Sequence, residues 1–536
     1  MEQSSCFTVG QRVHSSTDPR RVGTVKYVGN VEGYSGTWVG VEWDNEGDGK
    51  HDGSINGVRY FQARSQNSAS FVRPHNVSPG ISLLQALKLR YKTHSTKEDE
   101  EEMYVLSGSN QRVSVQLVGK EKIEEKLSKF EELKSASISY LGVSIPGGPD
   151  EIRAAVPNLK ELDLTGNLIS DWKDVGSICE QLPDLVALNL SNNSMMQNVT
   201  GLPLLKGIRV LVLNNAGINW SQVEILERSL PVIEELHLRG NNLSTIKTTS
   251  SPTVQGFDSL RLLNLEDNCI AEWTEILKLS QLKSLEQLYL NKNKLTSIFY
   301  PDDNKIQELL SNRDSHEESY LPFQNLRCLL LGSNNINDPA SIDALNSFPK
   351  LIDTRLSDNP ITDPGRGGMP RYVLVARLAK VEILNGSEIG ARERKESEIR
   401  YVRLVMSKLL DNPEEIARLH PRLVELKKFH GIEDERPSVG AAGPQKMATG
   451  LLSVTLKCVG PSMGEKLQLT KKLPATTTVG KLKVLCESFF KLKSLKLRLF
   501  LHEEGSPLPI LLDDEMASLM DVGVGNESMI LVDEES

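Results

Sequence analysis

The sequence predicts a multidomain chain. An all-β barrel comes first, a solenoid of parallel strands with a helical cap follows, and an α+β domain closes the C-terminal end. Three observations carry this prediction. The 536 residues exceed what one hydrophobic core holds. A nine-residue pattern of aliphatic positions, ending in Asn in seven copies, recurs eight times between residues 159 and 359. On either side of it the sequence changes character: short Val-, Gly- and aromatic-rich segments precede it, and the order strand, strand, helix, strands follows it.

Composition narrows the function classes. A hydrophobic content of 39 % with 25 % charged residues is ordinary for a soluble globular protein, and a net charge of −9 argues against nucleic acid as the main partner. No apolar run reaches membrane-spanning length, and "MEQSSCFTVG" lacks the basic and apolar regions of a signal peptide, so no membrane partner is expected. The six cysteines, at 6, 179, 269, 328, 458 and 486, form no Cys-x-x-Cys pair and read as reduced core thiols of a cytosolic protein. The nine histidines show no metal-ligand spacing. No metal, cofactor, catalytic triad or nucleotide loop is found, and the chain is expected not to be an enzyme.

The N-terminal strands are "RRVGTVKYVG", "GTWVGVEWD", "VRYF" and "SFVRP". Between them lies "GDGKHDGSINGVRYF" (47–61), a Lys, a His and an Asp among glycines. A phosphate loop fails on spacing, since the residue five places before Gly49 is Asp44 and His51 follows Lys50. A calcium loop starting at Asp44 fails at its twelfth position, which is Ile55 instead of a bidentate Glu. The combination "GTWVGVEWD" (36–44), "GKHDG" (49–53), "YF" (60–61) and "FVRP" (71–74) resembles a CAP-Gly domain over residues 8–78. That resemblance implies binding of the acidic, aromatic-ended C-terminal tail of α-tubulin. Lys50 would supply charge, and the backbone from Gly49 through His51 and Asp52 to Gly53 would approach the tail closely. Tyr34, Trp38 and Phe71 would line the groove beside Arg73. Two departures stand out: His51 replaces the family's usual Asn, and the family's groove Phe falls on Gly33, with only Tyr34 adjacent.

The repeats are "LKELDLTGN" (159–167), "LVALNLSNN" (185–193), "IRVLVLNNA" (208–216), "IEELHLRGN" (233–241), "LRLLNLEDN" (260–268), "LEQLYLNKN" (285–293), "LRCLLLGSN" (326–334) and "LIDTRLSDN" (351–359). Successive starts differ by 26, 23, 25, 27, 25, 41 and 25 residues. This is the leucine-rich repeat, whose aliphatic positions share one continuous core that no single copy can bury alone. The closing Asn suits a tight turn, and Ala216 is the one exception among the eight copies. The 41-residue interval implies a surface loop at about 299–322, and "LKSASISYL" (133–141) reads as a degenerate first repeat. With flanking caps the array is expected over 133–386. A helical and acidic connector (79–132) precedes it and a charged helical cap region (387–431) follows.

Residues between the second and third leucines face the concave side: Asp163, Asn189, Val212, His237, Asn264, Tyr289, Leu330 and Arg355. Among them His237, Tyr289, Leu330 and Arg355 are the candidate partner-binding residues, because apolar and aromatic groups on a concave face commonly hold proteins. Trp172, Trp220 and Trp273 follow the turns of their repeats and are expected to pack in the convex layer.

After a Pro-, Gly- and Ala-rich linker (432–450), residues 451–534 resemble a ubiquitin-like fold through "LLSVTLKCV", "TTVGKLKVLCESFF", "LKLRLF" and "ESMILVD". The sequence ends without Gly-Gly, so conjugation is not expected. Lys481, Lys483, Lys491, Lys493, Lys496 and Arg498 form a basic run suited to an acidic partner. The module order resembles the tubulin-folding cofactor E family. Membership implies a cytoplasmic, cytoskeleton-associated chaperone of α-tubulin that works with cofactors B, C and D on the α/β heterodimer. The alternative is a non-enzymatic microtubule-associated CAP-Gly adaptor, against which an acidic pI of about 5.7 and the lack of a long coiled coil both count.

Overall fold

The computed structural model describes residues 7–91, 104–106, 112–114, 129–199, 202–248, 252–301, 321–408, 413–432 and 451–534, the last with short breaks. The chain divides into two compact units, 1–391 and 392–536.

The first unit opens with a five-stranded antiparallel sheet. Its strands are β1 (Arg12–Ser15), β2 (Val22–Val31), β3 (Tyr34–Trp43), β6 (Ala69–Val72) and β7 (Val77–Ser78), in spatial order β6-β3-β2-β1-β7. A small hairpin, β4 (Ser54–Ile55) and β5 (Val58–Arg59), interrupts the passage from β3 to β6. Alternate residues of a strand face opposite sides. On one side Phe7, Val13, Val25, Val39, Val41, Trp43 and Val77 form the core. Leaving β7, the segment Ile81–Ser82 pairs in parallel with Val143–Ile145. The helix Leu83–Tyr91 then buries Leu83, Ala86 and Leu87 in the hydrophobic core of the repeat array. This stretch reads as a connector in the sequence, yet it belongs to the array's packing. The N-terminal sheet also touches the array directly: the Arg20 guanidinium lies 5.7 Å from the Tyr140 ring centre, and a Cβ on Gly142 would meet His14 Nε2 at 2.6 Å.

The array is an eleven-stranded sheet. It begins at Ser135–Ser137, inside the degenerate copy, and runs parallel and in register through the eight template strands to Ile383–Leu384, where Ser387–Glu388 turns back antiparallel. The middle template position points inward in each copy; where it is Thr354, the hydroxyl donates to the Leu329 carbonyl at 2.9 Å. Trp172, Trp220 and Trp273 each open a convex helix (Trp172–Gln181, Trp220–Glu227 and Trp273–Leu277) and are buried.

The closing asparagines form a ladder that ties each copy to its neighbours. The Asn268 amide donates to the carbonyls of Leu238 and Leu265, and its carbonyl accepts from the backbone of Asn241 and Leu243, all at 3.0 Å. At Ala216 the amide is missing and the backbone fills in: Met195 N donates to the Ala216 carbonyl at 3.0 Å. The insertion expected at 299–322 falls largely outside the described residues, as does the linker at 433–450.

The second unit contains the helices Ala391–Lys408, Pro413–Leu419 and Leu423–His430. Its C-terminal part is a five-stranded mixed sheet in the spatial order Leu469–Pro474, Leu451–Cys458, Met529–Glu534, Leu497–His502, Ile510–Leu512. The helix Val479–Phe490 buries Leu482, Cys486 and Phe490 in the same core as Val454, Leu499 and Ile530. Among the described residues no helix is long and apolar enough to cross a membrane, and no group of three or more His, Cys, Asp or Glu is placed to hold a metal. Cys179, Cys269, Cys328, Cys458 and Cys486 are free thiols.

Candidate functional site

The candidate site occupies the face of the N-terminal sheet opposite its core. Gly40 of β3 pairs with Phe71 of β6 and with Tyr27 of β2, so these residues share the outer face. A Cβ on Gly40 would stand 2.5 Å from the Phe61 ring, and the missing side chain is what lets that ring lie on the sheet. Phe71 becomes the hub of an aromatic cluster. Its ring centre is 5.3 Å from Tyr60, 5.5 Å from Phe61, 6.0 Å from Tyr27 and 6.1 Å from His51. Edge and tilted contacts of this kind are favourable beyond the area they bury.

A second group stands beside it on the same face. The Arg73 guanidinium sits 3.9 Å from the Trp38 ring centre and donates to the Ser35 carbonyl at 2.6 Å. Tyr34 meets Trp38 edge-on at 5.7 Å and is 49 % exposed. Gly33, at φ +83°, forms the tip of the β2–β3 turn with nothing within 4 Å of a Cβ placed there; Tyr34 follows it, and the Tyr60 hydroxyl accepts from Glu32 N at 2.8 Å.

The glycine-rich loop is held against β6 by backbone bonds. Lys50 N and His51 N both donate to the Ala69 carbonyl, at 2.7 and 2.9 Å, and Ala69 N donates back to His51 at 3.0 Å. Gly49 is required by contact, since a Cβ would lie 2.2 Å from Ala69 N. Gly53 is required by conformation as well, with φ +91° and a Cβ that would lie 2.1 Å from the Phe61 carbonyl oxygen. Asp52 turns inward to its own loop. It accepts from Ser54 and pairs with Arg59 at 2.7 Å. These bonds, Ser54 first and Arg59 second, hold its carboxyl down at about 2. Lys50 is exposed and has no ion-pair partner among the described residues.

The structure thus brings Tyr34, Trp38 and Arg73 together, and His51 together with Phe71. Lys50 stands at the loop surface, and Asp52 positions the loop. Tyr27, Tyr60 and Phe61, which are not among the candidate residues named from the sequence, complete the aromatic surface. The "YF" pair beside the glycine loop was the available signal.

On the array, His237, Asn264, Tyr289, Leu330 and Arg355 align as register partners in one row across neighbouring strands. Tyr289 and Leu330 are half-buried and Arg355 is exposed. In the C-terminal domain the basic run is partly neutralised: Lys483 pairs with Glu515 at 2.9 Å, and Lys493 lies outside the described residues.

Sequence comparison adds a family context. A model of the CAP-Gly domain matches residues 9–77, and a leucine-rich-repeat model matches residues 152–274. Over 530 residues, 99 % of this chain and 98 % of the relative, the sequence is 66 % identical to a protein of Arabidopsis thaliana named tubulin-folding cofactor E. It is 32 % identical to the tubulin-specific chaperone E of Danio rerio, with 98 % of each covered. Among solved structures, the C-terminal ubiquitin-like domain of mouse tubulin-specific chaperone E aligns at 27 % identity and a TM-score of 0.15, covering 18 % of this chain and 96 % of that one.

Proposed function

The chain belongs to the tubulin-folding cofactor E family, and we propose from that premise that it is a non-enzymatic tubulin chaperone of the cytoplasm. It captures α-tubulin through the acidic C-terminal tail. With cofactors B, C and D it takes part in assembling the α/β heterodimer and in taking it apart.

One observation carries the tail-binding step: the aromatic residues of the outer face are separate from the core that holds the N-terminal sheet together. Trp38 and Phe71 take no part in the cluster of Phe7, Val13, Val25, Val39, Val41, Trp43 and Val77. Phe71 itself is buried beneath its neighbours, and the exposed Tyr34 with the half-buried Trp38, His51, Tyr60 and Phe61 form the aromatic surface available to a ligand. The chemistry suits an acidic tail ending in an aromatic residue. Lys50 and Arg73 supply positive charge at the two sides. The loop from Gly49 to Gly53 lets backbone approach backbone, and Asp52 keeps that loop in shape. His51, Trp38 and Tyr34 offer ring surfaces to the terminal side chain, and the buried Phe71 packs against His51. The concave row, with His237, Tyr289, Leu330 and Arg355, is a second contact with the captured partner. Two sites on one compact unit raise the effective concentration of each for the other, so a modest affinity for the tail suffices.

The test mixes the full chain with soluble α/β-tubulin and, separately, with polymerised microtubules. A chaperone forms a complex with the soluble dimer that elutes as one species and stays in the supernatant on sedimentation. Pelleting with the polymer, with no soluble complex, would support a lattice-bound adaptor instead.

A further inference from the structure

The concave face of the array carries its own aromatic centre, and its charge is opposite to that around Lys50 and Arg73. One row reads His237, Asn264, Tyr289, Leu330, Arg355, and the row beside it reads Glu235, Leu262, Gln287, Cys328, Asp353. Tyr289 stands in the middle and donates its hydroxyl to Gln287 Oε1 at 2.6 Å. Leu330 is its neighbour on the next strand, and Leu262 lies on the strand before.

Three carboxylates face this centre. Burial, followed by Cys328, Glu266, Asp353 and Glu235, raises the Tyr289 phenol above its ordinary range. Burial and then Asp353 push the Cys328 thiol up to about 12. None of the three carboxylates is paired with Lys or Arg among the described residues. Glu266 accepts from the Asn291 amide, Asp353 lies 3.5 Å from Cys328 Sγ, and Glu235 lies 3.4 Å from His237 Nε2. Three of the nearby arginines are already paired with carboxylates, whereas Arg327 and Arg355 have no ion-pair partner among the described residues. Arg261 pairs with Glu286 at 3.3 Å, Arg239 with Asp267 at 3.4 Å, and Arg209 with Glu234. Arg355 donates to Ser357 Oγ at 3.0 Å.

We propose that the concave face binds a basic segment of a partner protein, with an arginine or lysine seated on the Tyr289 ring among Glu235, Glu266 and Asp353. Apolar neighbours of that cation pack on the half-buried Leu330. A guanidinium meets both demands of the surface at once, because it stacks on an aromatic face and pairs with carboxylates through a planar fork. An acidic segment would be repelled, and a purely apolar one would cover the three carboxylates without pairing them, which is costly. The proposal rests on reading this face as a binding surface and is independent of the tail-binding groove.

Fluorescein-labelled octa-arginine is the probe, titrated at low ionic strength into the full chain and read by anisotropy. Three variants are compared with the unaltered chain. One neutralises the concave centre (Glu235→Gln, Glu266→Gln, Asp353→Asn). A second removes the same charge from exposed positions outside the concave sheet (Glu180→Gln, Asp258→Asn, Glu272→Gln). The third is Tyr289→Ala. The concave triple is expected to weaken binding at least tenfold and Tyr289→Ala several-fold, while the outer triple stays within twofold of the unaltered chain. Equal loss in both triples would mean attraction by net charge alone and would overturn the proposal; so would absence of binding to the unaltered chain. A thermal melt of each variant checks that the array stays folded. Titration of the concave triple with an α-tubulin tail peptide should be unchanged. Failure of the tail peptide to bind even the unaltered chain would sink the groove reading and leave this one standing.

Discussion

Gly49→Ala tests how the glycine loop serves the site. Gly49 does not occupy the left-handed region, so the substitution adds no backbone strain of its own. What it adds is a Cβ at 2.2 Å from Ala69 N, 2.4 Å from the Ser68 carbonyl carbon and 2.6 Å from the Ala69 oxygen. All three are backbone atoms, so no side chain can swing aside and the loop must lift from β6. Lifting breaks the three hydrogen bonds that join Lys50 and His51 to Ala69. At roughly 0.5–1.5 kcal/mol each, their loss totals about 1.5–4.5 kcal/mol. The sheet core lies on the other face and keeps its contacts, so the domain stays folded while His51 leaves its place beside Phe71 and Lys50 moves with it. If the attached loop is the form that binds, affinity falls with the population of that form. The expected loss of tail-peptide affinity is at least tenfold, measured by calorimetric titration of the full chain. Affinity within twofold of the unaltered chain, in a folded variant, would refute the reasoning.

Two further outcomes are expected. Asn268→Ala leaves the buried backbone N–H groups of Asn241 and Leu243 without an acceptor, whereas the carbonyls of Leu238 and Leu265 still receive the Asn241 and Asn293 amides. At about 1–3 kcal/mol per orphaned donor the array loses roughly 2–6 kcal/mol, and hydrogen exchange at residues 241 and 243 should quicken by about thirtyfold or more; unchanged exchange would show that the ladder is redundant. Asp52, held at about 2 against an ordinary 3.8, stabilises the loop fully above the higher value and loses that contribution as pH falls through the lower one. The Ser54 amide resonance should therefore titrate near pH 2 in the unaltered chain and show no such step in Asp52→Asn; a step near 4 in the unaltered chain would contradict the Ser54 and Arg59 bonds.

The repeat array was legible in detail because each leucine of the template must enter one shared core, and this leaves a period that survives in the sequence. Even the degenerate copy at 133–141 forms a strand, at Ser135–Ser137. The N-terminal site was legible as a set of residues but not as a geometry. Both faces of its sheet are apolar or aromatic, so strand alternation could not tell that Val39 and Val41 enter the core while Trp38 and Phe71 stay outside it. Tyr27, from one segment, and the adjacent Tyr60 and Phe61, from another, converge on Phe71, which no local pattern records. The same holds for Lys483 and Glu515, 32 residues apart, whose pairing takes one cation out of the basic run. The contribution of Leu83, Ala86 and Leu87 to the array core was hidden because three apolar positions in a short amphipathic helix do not say which domain they serve.

The central claim is that the chain grips an acidic, aromatic-ended tail through Lys50 and the aromatic face around Phe71. The most direct measurement titrates the full chain and its Lys50→Glu variant, at low and high salt, with an α-tubulin tail peptide and with the same peptide lacking its terminal aromatic residue. The complete peptide should bind, and removing its aromatic residue should weaken binding. Lys50→Glu should lower low-salt affinity between several-fold and about thirtyfold, a gap that narrows as salt screens the charges. Equal affinities for the two peptides, together with an unchanged affinity in Lys50→Glu at low salt, would contradict it.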